Sequence, residues 1–277
     1  QRLGTRGLDD GDFRSATFSY PQGLALGGET LYVADTENHA IRKIDLNART
    51  VERVAGTGLQ ARVSRRGGPA LMTDLSSPWD LALAGTTLYI AMAGNHTLWV
   101  LDIASGELKR FAGTGREALA DGSPERSALA QPSGLTWTGV RLYIADSETS
   151  AIRYAEPVAD KVSTVIGEGL FEFGDVGGRA PEARLQHCLG VAYHDGLIYV
   201  ADTYNNKVKV VDPESVSVRT FLGSGSVGKG DGPAAESSFW EPGGLSISEG
   251  TIYVADTNNH AIRCADIATG RVMTVLA

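Results

Sequence analysis

The sequence predicts an all-β fold, a β-propeller made of four-stranded antiparallel blades. One segment recurs five times, and its marker tyrosines are 57, 54, 56 and 54 residues apart: Tyr32, Tyr89, Tyr143, Tyr199 and Tyr253. Each copy holds four short apolar runs separated by turn residues, without a sustained helical period. The run around each tyrosine is apolar at consecutive positions, which is typical of a strand covered on both faces. Neighbouring propeller blades cover each other's inner strands in this way.

The four runs follow the same order in every copy. The first comes after a turn, as in PQGLAL at 21–26, and the second is the tyrosine run, as in LYVAD at 31–35. The third, such as AIRKID at 40–45, is more polar, and the fourth ends in a glycine-rich turn that closes the copy. The repeats predict a single domain over residues 1–277, with blades at approximately 20–57, 77–114, 131–168, 187–224 and 241–277.

The composition excludes several classes of protein. The 277 residues are 42% hydrophobic and include 34 glycines without a collagen period, which excludes disordered and collagen-like chains. The formal net charge of −8 argues against a nucleic-acid partner, which usually meets a basic face. Cys188 and Cys264 lack the spacing of a zinc or redox site. No apolar stretch reaches the roughly 18 residues of a membrane helix, so we expect no membrane partner and a soluble chain, with the cytoplasm favoured.

A short motif in the turn after the second run carries a family resemblance. Asn38-His39-Ala40, Asn95-His96-Thr97 and Asn259-His260-Ala261 occupy the same position in their repeats. The sequence therefore resembles the NHL repeat family of β-propellers, and the fragments LFEFGD at 170–175 and LQHCLGVA at 185–192 extend the likeness along the chain. The resemblance implies a thioredoxin-like domain as a neighbour and a propeller of six blades.

The number of blades that close the propeller stays open. Residues 4–23 resemble the connectors between blades, and Gln1-Arg2-Leu3 resembles the end of an outer strand. Either a sixth blade precedes the chain, or five blades close on themselves.

Residues that recur in the repeats are expected to serve the blades. An aspartate ends the second run in four of the five repeats and faces a basic residue seven positions later, as in Asp35 and Arg42, which predicts an ion pair at the turn. Met92 and Trp99 replace this pair in the second blade. The predicted structural set is Asp35, Asn38, His39, Arg42, Asn95, His96, Asp146, Arg153, Asp202, Asn205, Asp256, Asn259, His260 and Arg263.

Residues that differ between repeats are the candidates for ligand binding. The residue before each first strand is polar or aromatic, and two tryptophans lie close by in the sequence. Asp80 stands where the other first strands have glycine. We expect these side chains at the mouth of the propeller channel, where they would suit a peptide or a small polar ligand: Tyr20, Trp79, Asp80, Gln131, His187, Trp240 and Glu241.

The sequence favours a non-enzymatic binding or scaffold module with a protein or peptide partner. It contains no recognisable catalytic or metal-binding motif, and we expect no cofactor. One alternative is a metal-dependent hydrolase or lyase, with calcium held in the channel by Asp80, Gln131 and Glu241. A second alternative, implied by the resemblance, is an accessory module of a thioredoxin-like redox protein. The basic cluster Arg62, Arg65 and Arg66 is expected to be a solvated loop.

Overall fold

The architecture was taken from a computed structural model, which describes residues 5–61 and 67–277. The strands form five antiparallel sheets of four or five strands, one for each repeat of the sequence. This confirms the predicted all-β fold of propeller blades. The chain divides into two compact units, one ending at Gly139 and the other starting at Val140.

The strands are numbered in chain order. Blade one contains β1 (Gly11–Asp12), β2 (Pro21–Gly27), β3 (Thr30–Asp35), β4 (Ala40–Asp45) and β5 (Thr50–Ala55). Blade two contains β6 (Gly67–Pro69), β7 (Pro78–Ala84), β8 (Thr87–Met92), β9 (Thr97–Asp102) and β10 (Glu107–Ala112). Blade three contains β11 (Pro132–Trp137), β12 (Leu142–Asp146), β13 (Ala151–Glu156) and β14 (Lys161–Ile166). Blade four contains β15 (Gly178–Arg179), β16 (Cys188–His194), β17 (Leu197–Asp202), β18 (Lys207–Asp212) and β19 (Ser217–Leu222). Blade five contains β20 (Pro242–Ser248), β21 (Thr251–Asp256), β22 (Ala261–Asp266) and β23 (Val272–Leu276).

The turn between the second and third long strands of every blade is a single turn of 3-10 helix. These turns are Thr36–Asn38, Ala93–Asn95, Ser147–Thr149, Thr203–Asn205 and Thr257–Asn259, and a further one, Ala70–Met72, lies in the connector before β7. The residue after each of the five turns is left-handed and redirects the chain into the third strand.

Three connectors add a short fifth strand that the sequence analysis did not predict. β1, β6 and β15 pair with the fourth long strand of blades one, two and four. An outer strand left at the edge of a sheet exposes unpaired N–H and C=O groups, and these additions cover part of that edge. The segments are only two or three residues long, which is too short for a hydrophobic pattern to reveal.

The hydrophobic core lies between adjacent blades. In the first unit, Tyr32 of blade one belongs to the same cluster of buried side chains as Leu81 of blade two. The face of blade five is different, because Tyr253 is 40% exposed whereas its equivalent Tyr199 is 3% exposed. Ile262 beside it is 36% exposed. Blade five therefore presents an apolar face whose equivalents in the other blades are buried.

A buried ion pair ends the second strand in four of the five blades. Asp35 Oδ2 lies 3.0 Å from Arg42 Nη1, and neither side chain is exposed. The pair recurs with distances of 3.2, 2.9 and 2.8 Å in blades three, four and five: Asp146–Arg153, Asp202–Lys209 and Asp256–Arg263. Desolvation makes such a pair costly unless further hydrogen bonds satisfy both groups.

In blades one, four and five, those further hydrogen bonds join the blade to the connector that precedes it. Arg42 donates through Nη2 to Asp9 O and Asp10 Oδ1, both at 2.8 Å. The amide of Asn38 donates to Asp35 Oδ2 at 2.7 Å and to Gly7 O at 2.6 Å. Asn205 and Asn259 make the same two kinds of contact in blades four and five. The ion pair therefore fixes the turn and the connector together.

Blade two replaces the ion pair with buried apolar side chains. Met92 is fully buried and Trp99 is 3% exposed, and both lie in the core of the first unit. Met92 Sδ accepts a hydrogen bond from Ser76 N–H at 3.3 Å, the role that an aspartate oxygen has in other blades. Trp99 Nε1–H donates to Thr97 Oγ1 at 2.9 Å, and that hydroxyl in turn donates to Asn95 Oδ1 at 2.6 Å.

A double-mutant cycle tests whether the ion pair acts as a unit. We predict that Asp35→Met and Arg42→Trp each lower the free energy of unfolding by about 3–5 kcal/mol, because each removes the buried partner of a fully buried charge. Arg42 would keep only Asp10, whose side chain is 51% exposed. The double variant copies blade two, and its loss should be at least about 2 kcal/mol smaller than the sum of the single losses. Urea unfolding followed by circular dichroism measures all four proteins. Strictly additive losses would contradict this account.

Candidate functional site

The residue before the first long strand of each blade has a left-handed backbone. Its φ lies between 47° and 59° in all five blades, although none of these residues is glycine. We call them the entry residues: Tyr20, Ser77, Gln131, His187 and Glu241. A left-handed conformation costs a non-glycine residue about 1 kcal/mol or more, so the surrounding structure has to support it.

In the first unit, histidines of the preceding blade provide this support. Ser77 N–H donates to His39 Nδ1, and Gln131 N–H donates to His96 Nδ1, both at 3.0 Å. An imidazole nitrogen that accepts a hydrogen bond carries no proton, so His39 is neutral in this arrangement. Burial lowers the pKa of His39, and the nearby Glu37 carboxylate opposes this shift without reversing it.

In the second unit, side chains that do not titrate take the same role. His187 N–H donates to Ser150 Oγ at 3.0 Å, and Glu241 N–H donates to Asn206 Oδ1 at 2.9 Å. His260 ends the equivalent turn of blade five with a φ of 49°. The backbones of these four entry residues are thus bound to the preceding blade, which leaves their side chains for other contacts.

Asp80 links the first strands of three neighbouring blades in the first unit. Its Oδ2 accepts a hydrogen bond from Leu135 N–H in blade three at 2.7 Å. On the side of blade one, a Cβ added at Gly23 would lie 2.2 Å from Asp80 Oδ1, so glycine is required there. Burial raises the pKa of Asp80 to about 7, although hydrogen bonds from the Leu135 and Leu81 amides lower it.

The other predicted side chains of the first unit differ in exposure. Tyr20 is 51% exposed, and the guanidinium of Arg6 lies over its ring, 4.1 Å from the centroid. Arg6 also donates a hydrogen bond to the Tyr20 hydroxyl. Trp79 and Gln131 are half-buried.

His187 lies in a polar and aromatic cluster of the second unit. Its ring stacks on Tyr204, with the centroids 4.4 Å apart and the planes 10° apart, and its Nδ1 lies 3.8 Å from Glu148 Oε1. Burial lowers the pKa of His187, and the carboxylates of Glu148 and Glu241 raise it by less. Asn258 Nδ2 donates to Glu241 Oε2 at 2.8 Å. These five residues form what we call the His187 cluster.

Trp240 precedes this cluster in the chain. Its backbone N–H donates to Asp256 Oδ1 at 2.8 Å, while its side chain is 41% exposed. The ion pair of blade five therefore holds the backbone from which an exposed indole projects.

Three members of the His187 cluster were missed by the sequence analysis. Glu148, Tyr204 and Asn258 are the middle residues of their 3-10 turns. The sequence does contain a signal for these residues, because the residue type at the middle of the turn varies between blades, as it does at the entry position. The five residues at this position are Glu37, Gly94, Glu148, Tyr204 and Asn258.

Two features are absent from residues 5–61 and 67–277. No group of three or more His, Cys, Asp or Glu side chains there is arranged to hold a metal ion. No helix in the same ranges has the length and apolar character needed to cross a membrane. The predicted basic loop and the predicted end of an outer strand lie outside the described residues: Arg62, Arg65 and Arg66, and Gln1, Arg2 and Leu3.

Comparison with known families identifies the repeat. A family profile described as NHL repeat matches residues 18–44, 185–211 and 239–265. The chain carries NHL repeats. The three matched segments come from the NHL blades that contain the aspartate, the turn asparagine and the basic residue together. Blade two has Met92 and Trp99 instead, and blade three has Thr149 in place of the turn asparagine.

The chain is similar to part of two longer proteins. It is 41% identical to NHL repeat-containing protein 2 of Homo sapiens over 96% of its own length and 41% of that protein. It is also 41% identical to the protein SUPPRESSOR OF QUENCHING 1, chloroplastic, of Arabidopsis thaliana, over 99% of its own length and 27% of that protein. The chain therefore spans less than half the length of these relatives.

Solved structures with a similar fold have low sequence identity. A structural genomics protein of unknown function from Bacteroides thetaiotaomicron aligns with a TM-score of 0.71 and 22% identity, over 98% of this chain and 61% of that one. The structure titled Streptogramin B lyase structure aligns with a TM-score of 0.60 and 9% identity, over 96% of this chain and 71% of that one. These likenesses concern the fold alone.

The link from His39 to Ser77 predicts a sensitivity to acid. Because the pKa of His39 is lowered by folding from 6.5, the unfolded chain binds more protons than the folded chain just below pH 6.5. This contribution to the free energy of unfolding is full above that pH and is lost as the pH falls. His39→Asn, which copies Asn206, should lose less stability than the wild type between about pH 7 and about pH 5. Equal losses in urea unfolding would contradict the neutral, accepting imidazole.

Asp80 predicts the opposite dependence on pH. Its pKa is about 7 in the folded chain and 3.8 as the reference value, so the folded chain binds the proton more tightly between these values. The stability that this proton gives is full below pH 3.8 and is lost as the pH rises to about 7. Asp80→Asn keeps an acceptor for Leu135 N–H without a charge. We predict that it gains about 2–4 kcal/mol on the wild type between about pH 4 and about pH 8. A difference that is constant with pH would contradict this.

Proposed function

We propose that the chain is a non-enzymatic binding module that takes a protein or peptide at the face formed by its connectors and 3-10 turns. The observation that supports the proposal is that the backbones and the side chains of the entry residues have different roles. Four of the five bind the preceding blade through their backbone N–H groups, and the side chains of all five differ from blade to blade. A rigid scaffold that presents varied polar and aromatic groups on loops suits recognition.

Exposed aromatic side chains support a protein partner. Tyr20 and Tyr204 are each 51% exposed, and Trp240 is 41% exposed. Tyrosine and tryptophan combine a large apolar area with a polar tip, and they are enriched where proteins bind each other. The buried aspartates and arginines are engaged within the blades, so they are not available for such contacts.

The alternatives from the sequence have less support from the described residues. In a calcium-dependent hydrolase, Asp80 would be a ligand, but one of its oxygens already binds Leu135 N–H. A redox accessory role would depend on a thioredoxin-like domain, because Cys188 and Cys264 are buried and separate thiols. Cytoplasmic localisation also remains a prediction, and one similar plant protein is named as chloroplastic.

A capture experiment tests the proposal. The variant combines His187→Ser, Tyr204→Asn and Trp240→Ser, each of which copies a residue at the same position of another blade. We predict that partners enriched from a lysate by the wild type are lost about tenfold or more with this variant, because its recognition side chains are gone. Quantitative mass spectrometry gives the enrichment.

The control is Val158→Ser, which changes a residue that is 98% exposed in the hairpin between β13 and β14. It should leave the enrichment unchanged. Equal recovery with the triple variant would show that the partner binds elsewhere. Thermal unfolding with calcium and with EDTA belongs to the same experiment, and a shift with calcium would favour the metal-dependent alternative.

A further inference from the structure

We propose that the His187 cluster binds the side chain of an arginine from the partner protein. The proposal rests on the function proposed above and names the chemistry that the partner would bring to that face. Three observations carry it: the unbalanced charge of the cluster, its stacked aromatic rings and an arginine already bound at the equivalent place in blade one.

The carboxylates of the cluster lack a cationic partner. Within residues 5–61 and 67–277, no lysine or arginine forms a salt bridge with Glu148 or Glu241. Their neighbour His187 is not a counter-charge at neutral pH, because its burial lowers its pKa. By contrast, the buried aspartates of blades one, three, four and five are all paired with a cation. Two carboxylates beside exposed aromatic surface favour a cationic ligand.

The aromatic part of the cluster suits a planar cation. The rings of His187 and Tyr204 are stacked, and Tyr204 remains 51% exposed. A guanidinium group stacks on aromatic faces and donates two parallel hydrogen bonds to a carboxylate. An ammonium group is not planar and cannot donate two parallel hydrogen bonds to one carboxylate, so the cluster should prefer arginine to lysine.

Blade one contains an example of this interaction. The guanidinium of Arg6 lies 4.1 Å from the ring centroid of Tyr20, which is the entry residue equivalent to His187. Arg6 precedes Gly7, whose carbonyl accepts a hydrogen bond from the turn asparagine Asn38. The connector of blade one thus supplies its own arginine to the aromatic entry residue.

Blade four has no arginine at the corresponding place. The turn amide of Asn205 donates to Gly174 O, so Gly174 corresponds to Gly7. The residue before it is Phe173, which is 55% exposed. The connector of blade four therefore offers an apolar side chain where that of blade one offers a cation. An arginine from another molecule would supply the missing group.

Peptide titrations followed by NMR test this proposal. The probe is a short uncharged peptide with one central arginine, compared with the same peptide carrying lysine or citrulline. Citrulline keeps the shape of arginine and removes its charge. The arginine peptide should shift the amide signals of Tyr204 and Glu241 in the labelled protein. The citrulline peptide should leave them unchanged, and the lysine peptide should bind several-fold more weakly.

Variants locate the binding. Glu148→Gln combined with Glu241→Gln should weaken binding of the arginine peptide about fivefold to tenfold, and Tyr204→Asn about fivefold. Glu37→Gln changes the same turn position as Glu148 in blade one and serves as the matched control, with unchanged affinity. Retained binding in the double variant, or equal binding of the citrulline or lysine peptide, would overturn the proposal.

The two proposals fail in different ways. If no arginine peptide binds, while capture of the partner is still lost with the triple variant, the face binds a protein by other chemistry and only the arginine site is wrong. If capture is unaffected by the triple variant, the proposed function itself is placed wrongly.

Discussion

The buried pair of an aspartate and a cation is the interaction on which the rest of four of the five blades depends. Asp35 is fully buried with Arg42, and the pair also binds Asn38 of the turn and the backbone of the connector at Asp9. Burial strengthens every one of these contacts and makes the loss of any one charge costly. The surface formed by connectors and turns is therefore set from inside the blade, while its outer side chains remain free to vary.

Blade two shows which part of this arrangement is replaceable. Met92 and Trp99 fill the place of the ion pair, and a sulfur atom accepts the hydrogen bond that a carboxylate accepts in blade one. The geometry of the turn persists, since His96 after it is left-handed like His39. Geometry is thus preserved across a change from electrostatic to apolar contacts, whereas the sequence signature of the repeat is lost.

Much of the fold could be predicted from the sequence because the tyrosine strands are apolar, evenly spaced and bounded by turns. The pairing of Asp35 with Arg42 could also be predicted, since both residues belong to one hairpin. The contact of His39 with Ser77 was not, because it joins residues 38 positions apart through a backbone N–H. Tyr204 was missed for a related reason. Its contact with His187 depends on how the 3-10 turn packs against the residue before the first long strand of the blade.

At the left-handed entry residues, the backbone conformation does not depend on which side chain is present. Glycine would adopt this conformation at lower cost, yet the chain holds tyrosine, serine, glutamine, histidine and glutamate there. In four of the five, the support comes from the backbone N–H, which donates to a side chain of the preceding blade. A substitution at one of these four positions therefore changes the side chain and keeps the backbone hydrogen bond. Such positions would let one framework acquire new ligands by single amino-acid substitutions. They are the positions at which to begin engineering a different binding specificity.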